Sequence, residues 1–125
     1  MVGDMSYTWR EMITNGFTVY HKNTYCLGYL RLKVNIQQDE EEIKCKTYFG
    51  LQYYHFYLHD VSEVYKPQPK MLEFIIMYID EKDMKYPKYK KILWSFEKEE
   101  ECQIIYSLFL LHHEKRLKNK EMGAI

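Results

Sequence analysis

Apolar and polar residues alternate with a period of two along most of the first hundred positions. The clearest segment is 30–36, in which four apolar residues alternate with Arg31, Lys33 and Asn35. A strand with one buried and one solvated face has this pattern. The same pattern predicts further strands at 13–21, 43–51, 52–58, 61–65, 72–79 and 92–96. The sequence therefore predicts seven strands, with the second and third forming a hairpin.

Polar and proline-containing segments separate these strands. Residues 37–42 are predicted as an acidic connection, and 66–70, with two prolines, as a break, since proline fixes φ and lacks an N–H donor. Residues 80–89, which contain Pro87, are predicted as a charged loop. Residues 1–11 are predicted as a frayed or docked lead-in to the first strand.

The last third of the chain changes period. After the strand at 92–96, acidic residues at 97 and 99–101 stand where they stabilise a helix N-terminus. Apolar positions then recur every three or four residues, a spacing that predicts an amphipathic helix packed on the sheet. Its packed face is predicted to hold Cys102, Ile105, Leu108, Phe109 and His112.

These elements predict a mainly β fold, a seven-stranded, strongly bent barrel or sandwich capped by one C-terminal α-helix. At 125 residues the chain is long enough for one domain with its own core. We expect a single domain over 1–120 and a flexible tail over 121–125.

Charge and cysteine content narrow the class of protein. The net charge is zero, from 18 basic and 18 acidic residues, which argues against direct nucleic-acid binding although local patches remain open. Cys26, Cys45 and Cys102 form no close pair, as expected for reduced thiols that fill a core. No signal peptide and no stretch long enough to span a bilayer is evident. The expected location is the cytoplasm, with the nucleus as an alternative.

The titratable residues do not form a recognisable catalytic or metal-binding motif. His55 and His59 share a face of a predicted strand but lie about 13 Å apart there, too far to bind one ion together. The acidic clusters at 39–42 and 97–101 fall in a loop and a helix cap, where solvated roles are expected. We therefore expect no catalytic residue, no metal, no cofactor and no enzymatic activity.

Two sets of residues are candidates for binding. Lys22, Arg31 and Lys33 form a basic set that could bind phosphate groups, with Lys44 and Lys46 extending it, or could be ordinary outward charge on a hairpin. The chain also has 13 tyrosines, more than one core face needs. A tyrosine-lined groove suits an extended peptide, although the rings could simply cover the barrel ends. The candidates for partner binding are Tyr48, Tyr53, Tyr57 and Tyr65.

A resemblance to a known superfamily follows from residues 55–64, where Leu58, Asp60, Val61 and Val64 form the phrase L-x-D-V-x-x-V. This phrase resembles the middle of pleckstrin-homology-like (PH-like) domains. Residues 72–76, the strand at 93–96 and the acidic turn leading into a long helix are similar to the elements that follow it there. The resemblance covers roughly 14–117. It implies a PH-like barrel that binds partners.

Within that superfamily, residues 94–103 are similar to the end of EVH1-type domains of mRNA-decapping activators, which also have an aromatic strand followed by an E-E-C-Q run. Standard lipid-binding PH domains carry a Trp in the C-terminal helix, whereas 102–117 has none, and Phe109 is expected to take its packing place. Lys22, Arg31 and Lys33 resemble the phosphoinositide pattern of the first hairpin, with Lys33 where Arg is usual.

The leading hypothesis is a non-enzymatic protein–protein interaction module, an adaptor or scaffold. It would use the tyrosine-rich surface or the sheet edge near 57–65. A phosphoinositide-binding, membrane-targeting domain is the first alternative. An RNA-decay-associated factor is the second.

Overall fold

The computed structural model describes the backbone of residues 2–22, 28–37, 41–80 and 82–122, and the side chains of 7–22, 28–37, 41–79, 82 and 84–115. Its elements are α1 (Val2–Asn15), β1 (Phe17–Lys22), β2 (Tyr29–Gln37), β3 (Glu42–Thr47), β4 (Gln52–Tyr57), β5 (Val61–Gln68), β6 (Met71–Asp80), β7 (Asp83–Ser95) and α2 (Glu99–Met122). A single 3-10 turn, Leu58–Asp60, joins β4 to β5.

The seven strands form one antiparallel sheet in the order β4-β3-β2-β1-β7-β6-β5, which confirms the predicted strand number and class. The sheet is not closed, because β4 and β5 are its two edges. It is nevertheless strongly bent. Phe56 on β4 and Phe74 on β6 are separated by four strands in this order, yet their ring centroids lie 5.3 Å apart.

Helix α2 fills the interior of the bent sheet, as the helical spacing predicted. Cys102, Ile105 and Phe109 are fully buried, and Leu108 packs against the same core. The Phe109 ring lies 5.1 Å from Phe74 and 6.2 Å from Trp94. Phe109 therefore occupies the centre of the aromatic core. Residues 123–125, most of the predicted flexible tail, lie outside the described residues, and α2 extends to Met122.

The N-terminal lead-in is a docked helix, whereas the prediction of a first strand beginning at 13 was wrong. Helix α1 continues to Asn15, and β1 begins only at Phe17. Met12 is buried, while Trp9 and Ile13 pack against the core, the three- and four-residue spacing of an apolar helix face. Helix α1 packs on α2 and β2, so the fold has a second helix besides the C-terminal one.

The predicted charged loop at 80–89 is also wrong, because β6 and β7 form one long hairpin. Strand β7 pairs with β1 only at Ser95 and Trp94 within the described residues, so most of its length has β6 as its one neighbour. Pro87 lies in this singly paired stretch, where a missing N–H donor is tolerated. Lysines on both faces hid the strand from the alternation pattern.

Two smaller boundaries differ from the sequence prediction. The third strand stops at Thr47, and Phe49 and Leu51 lie exposed in the β3–β4 turn instead of on a strand face. Strand β5 continues through Pro67 to Gln68, which an edge strand permits. The break at 66–70 is therefore shorter than predicted.

Gly16 joins α1 to β1 and provides a test of this junction. Its φ is +76°, and its N–H donates to the Met12 carbonyl at 2.8 Å, as at a helix C-terminus. A Cβ there would lie 2.8 Å from the Val34 carbonyl oxygen. We expect Gly16→Ala to lower the free energy of unfolding by about 1–3 kcal/mol, measured by urea denaturation.

The control for this substitution is Gly50→Ala. Gly50 also has a positive φ, +87°, but nothing lies within 4 Å of the position that an added methyl group would take. Gly50→Ala should therefore cost less than Gly16→Ala. Equal costs would show that the close approach of Gly16 to β2 contributes nothing.

Candidate functional site

The antiparallel pairing brings three connections to the same end of the bent sheet. Strand β1 ends at Lys22 opposite Tyr29 on β2, so the β1–β2 connection lies there. The β3–β4 turn and the β6–β7 turn follow at that end because each neighbouring strand reverses direction. We call this end, formed by these three connections and the strand residues beside them, the loop end. The opposite end, where β1 begins, carries the helices.

Large apolar side chains are exposed mainly at the loop end. Of the 13 exposed large hydrophobic residues among the described side chains, ten lie there. Phe49 is 93% exposed and Met84 is 76% exposed, values far beyond those of ordinary half-buried positions. The ten are Tyr29, Tyr48, Phe49, Leu51, Tyr53, Tyr78, Ile79, Met84, Tyr86 and Tyr89. A concentration of this kind is typical of interaction surfaces.

Cationic residues stand between these apolar side chains. Lys22 lies at the end of β1, and the β6–β7 hairpin carries Lys82, Lys85, Lys88 and Lys90. The side chains described at 28–31, 48–53, 78–79, 82 and 84–90 include no Asp or Glu. The hairpin sequence as a whole, 80–91, holds five lysines against three acidic residues. The loop end is therefore both apolar and positive.

The structure places the predicted basic set on one outer sheet face. Arg31 and Lys33 are two residues apart on β2, so they point to the same face. Lys22 on β1 lies opposite Tyr29, which is two residues before Arg31, so Lys22 points to that face as well. Lys33 lies directly opposite Lys46 on β3, an arrangement of like charges that costs stability unless an anion binds.

Two contacts define the neighbours of this basic set. The Arg31 guanidinium lies 4.1 Å above the Tyr48 ring, and the Tyr48 hydroxyl is hydrogen-bonded to Thr18. Lys44, by contrast, lies 4.0 Å from Glu42 and is partly neutralised by it. The predicted extension of the patch is therefore stronger at Lys46 than at Lys44. A phosphate-binding role for the set stays a prediction.

The four candidate tyrosines do not form one surface. Tyr48 and Tyr53 lie at the loop end, where the Tyr53 ring is 5.6 Å from His21. Tyr57 ends β4 and stacks on His59 with 5.4 Å between ring centroids. Tyr65 lies on β5, the other edge of the sheet, where a hydrogen bond to Glu63 raises its pKa. A partner-binding role for these tyrosines stays a prediction, divided between two sheet edges.

Sequence reasoning missed a hydrogen-bond chain inside the barrel. The Trp94 indole N–H donates to the Tyr54 hydroxyl at 2.6 Å, and that hydroxyl lies 3.2 Å from His21 Nδ1. Burial raises the pKa of Tyr54, and burial together with the charge of Lys90 lowers the pKa of His21. Both groups are therefore neutral near pH 7. The role of these hydrogen bonds is to satisfy buried polar atoms.

His21 should make stability depend on pH. The unfolded chain binds a proton at His21 near pH 6.5, whereas the folded chain binds it only at a lower pH. The unfolded state therefore holds more protons in this window, and the free energy of unfolding should fall as pH drops below 6.5. Urea denaturation across this range should show the decline, and His21→Gln should reduce it.

The control is Phe49→Ala, since Phe49 is 93% exposed and has no titratable group. That variant should keep the pH dependence of the wild type. A decline that His21→Gln leaves unchanged would contradict the assigned role of His21.

The described thiols and acids offer little chemistry. Burial raises the pKa of Cys45 to about 12 and that of Cys102 to about 11, consistent with core fillers. Cys26 lies outside the described residues. Within the described part of the chain, no three His, Cys, Asp or Glu side chains are placed to hold a metal ion. None of the helices in that part is long and apolar enough to cross a bilayer.

Comparison with known proteins supports the fold. No family model and no curated protein matches the sequence. Inner Membrane Complex Sub-compartment Protein 3 from Toxoplasma gondii has a similar structure, with TM-score 0.67, 14% identity and coverage of 90% of this chain and 85% of that chain. The PH domain from TgAPH is also similar, with TM-score 0.56, 13% identity and coverage of 88% and 91%.

Neither of these two structures is described as an EVH1 domain, so the similarity of residues 94–103 to EVH1-type domains stays a prediction. Both matches extend over most of this chain. At this low identity they show the fold alone. The chain is a divergent domain of the pleckstrin-homology-like fold.

Proposed function

We propose that this chain is a non-enzymatic membrane-docking domain whose loop end binds an anionic lipid surface. The observation that carries this proposal is the concentration of exposed apolar side chains on three connections at one end of the barrel, with lysines between them. Lipid head groups and the upper acyl chains accept both kinds of group at once. Aromatic rings favour that interface, and lysine stems reach along apolar surface while the ammonium stays with phosphate.

The shape of the β6–β7 hairpin favours a lipid surface over a flat protein partner. Met84 and Tyr86 lie on one face of β7, whereas Lys85 and Tyr89 lie on the other, because side chains alternate along a strand. All four are exposed. A fluid interface can surround both faces of a protruding ribbon, while a rigid partner covers one.

The proposed attraction to a membrane depends on local groups of charged residues and not on the net charge. The chain as a whole is neutral, so attraction to a membrane depends on how its charges are distributed. Each lysine near an anionic bilayer contributes about 1 kcal/mol. Lys22, Arg31 and Lys33 lie beside the loop end and are proposed to bind lipid phosphate, a phosphoinositide head group being the finer form of the hypothesis. That one structural neighbour is named as an inner membrane complex protein is compatible with this function.

Vesicle co-sedimentation tests the proposal. The full chain should pellet with vesicles of phosphatidylcholine and phosphatidylserine, and should stay in solution with phosphatidylcholine alone. Lys22→Ala combined with Arg31→Ala should weaken binding, whereas Lys115→Ala, on the exposed side of α2, should not. Adding a phosphoinositide shows whether head-group recognition exceeds charge attraction. Absence of binding to the anionic vesicles at low salt would overturn the proposal.

Protein binding is the second candidate function, because the two edge strands of the open sheet, β4 and β5, carry candidate tyrosines. An RNA-decay role rests on the similarity of residues 94–103 alone. It predicts that RNA or RNA-decay proteins co-purify with the chain at low salt and are lost at high salt. A purification free of both would remove it.

A further inference from the structure

The sheet is open along a seam between β4 and the distal half of β6. Among the described residues, β4 pairs with β3 alone, and β6 beyond Ile76 pairs with β7 alone, since β5 begins opposite Ile76. A cavity of about 330 Å³ lies in this seam and is lined from both sides. Its lining consists of Tyr54, His55, Ile76, Tyr78, Lys90 and Ile92.

The two borders of the seam present backbone hydrogen-bonding groups. An edge strand offers N–H and C=O groups at the spacing of an extended chain, and an added strand is the ligand that pairs with them in sequence. A lipid head group has no such repeat. The seam thus selects an extended polypeptide.

The floor of the cavity selects an apolar side chain. Ile76 and Ile92, both buried, line the cavity together with Tyr54 and Tyr78. In an added strand alternate residues point to the same face, so one side chain can enter the cavity while its neighbours stay outside. Apolar pockets with a few polar groups at the rim are typical of ligand sites.

The charge at the rim of the cavity selects a second residue of the added strand. Lys90 Nζ lies 5.8 Å from the centroid of the Tyr54 ring, and Lys90 is exposed. His55 also lines the cavity, and its Nδ1 lies 2.9 Å from a Glu42 carboxylate oxygen, which leaves Lys90 as the other basic residue of the lining. A carboxylate two residues from the apolar side chain, on the same face of the added strand, complements that cation.

We propose that the seam binds an extended segment of a partner protein, which adds a strand to β4 and places an apolar side chain over Ile76 and Ile92, with an acidic residue beside Lys90. This site adjoins the lipid-binding loop end, with which it shares Tyr78 and Lys90, and gives the domain a second ligand. A domain with both sites would hold its partner at a membrane.

A phage-displayed library of random dodecapeptides, selected on the folded full chain without lipid, tests this proposal. Selection should enrich peptides in which an acidic residue lies two positions from a large apolar one. A synthetic peptide of the selected sequence should slow amide hydrogen exchange within Gln52–Tyr57. Lys90→Glu should weaken its binding about tenfold or more, and Lys115→Glu should leave binding unchanged.

Three results would overturn the proposal. The first is that selection enriches no peptide beyond what an unrelated protein enriches. The second is that the peptide slows amide hydrogen exchange elsewhere but not in β4. The third is that Lys90→Glu leaves the peptide's affinity unchanged. Circular dichroism of each variant separates loss of binding from loss of fold. Because no vesicles are present, these outcomes leave the membrane-docking proposal to its own test.

Discussion

Replacing Trp94 with alanine is expected to lower the free energy of unfolding by about 3–5 kcal/mol. The side chain is fully buried, and its ring lies 4.9 Å from Phe74 and 6.1 Å from Phe56. Its removal leaves a cavity where β4, β6 and β7 meet, and it takes away the donor that satisfies the Tyr54 hydroxyl. Since small domains are stable by about 5–15 kcal/mol, this one change should leave the fold marginal.

Urea denaturation followed by far-ultraviolet circular dichroism measures this effect. Trp94→Phe keeps most of the ring and loses the N–H donor, so it should cost less than Trp94→Ala. Phe49→Ala is the matched control, because an aromatic ring that is 93% exposed should contribute within about 0.5 kcal/mol. If Trp94→Ala lowered the free energy of unfolding no more than Phe49→Ala, the result would contradict an aromatic core centred on Trp94 and Phe109.

Replacing Phe49 and Met84 together with serine is expected to lower the partition of the domain onto anionic vesicles roughly thirtyfold. The two residues lie on different connections of the loop end and are the most exposed apolar side chains there. Partial transfer of each into the lipid interface contributes about 1 kcal/mol, and a loss of about 2 kcal/mol corresponds to that factor. Titration of vesicles into the protein, read as the bound fraction after sedimentation, gives the partition constant.

The control pair is Tyr7→Ser with Leu111→Ser, two exposed apolar residues on the helices away from the loop end. This pair should bind vesicles like the wild type. Both double variants should keep their free energy of unfolding, because all four side chains are exposed. Equal loss of binding in the two pairs would mean that the loop end has no special role.

The strands and α2 could be predicted because burial leaves a periodic trace. Where one face is buried, as at Leu32, Val34 and Ile36, alternation is strict. Helix α1 was missed because its apolar face is short and runs directly into β1 through Gly16. The distal β7 was missed because both of its faces are exposed around Pro87, so no alternation marks it.

The candidate sites were predictable only in part, for a similar reason. Arg31 and Lys33 were placed on one face because parity along a strand depends on sequence alone. The loop end depends on register between strands far apart in the chain, which brings Tyr29, Phe49 and Met84 to one end. Phe49 is also exposed in a turn, although the predicted strand at 43–51 included it. The seam between β4 and β6 could not be predicted, because the sequence pattern does not show that the sheet stays open.

A fluorescent label at the loop end tests the membrane-docking proposal most directly. In a Cys26→Ser background, Met84→Cys carries the environment-sensitive dye NBD, while Cys45 and Cys102 stay unlabelled because they are buried. Adding phosphatidylserine-containing vesicles should shift the emission of this label to shorter wavelength and raise its intensity. The same label at Lys115→Cys, on α2, should not respond. An unchanged spectrum at position 84, or an equal change at position 115, would contradict docking through the loop end.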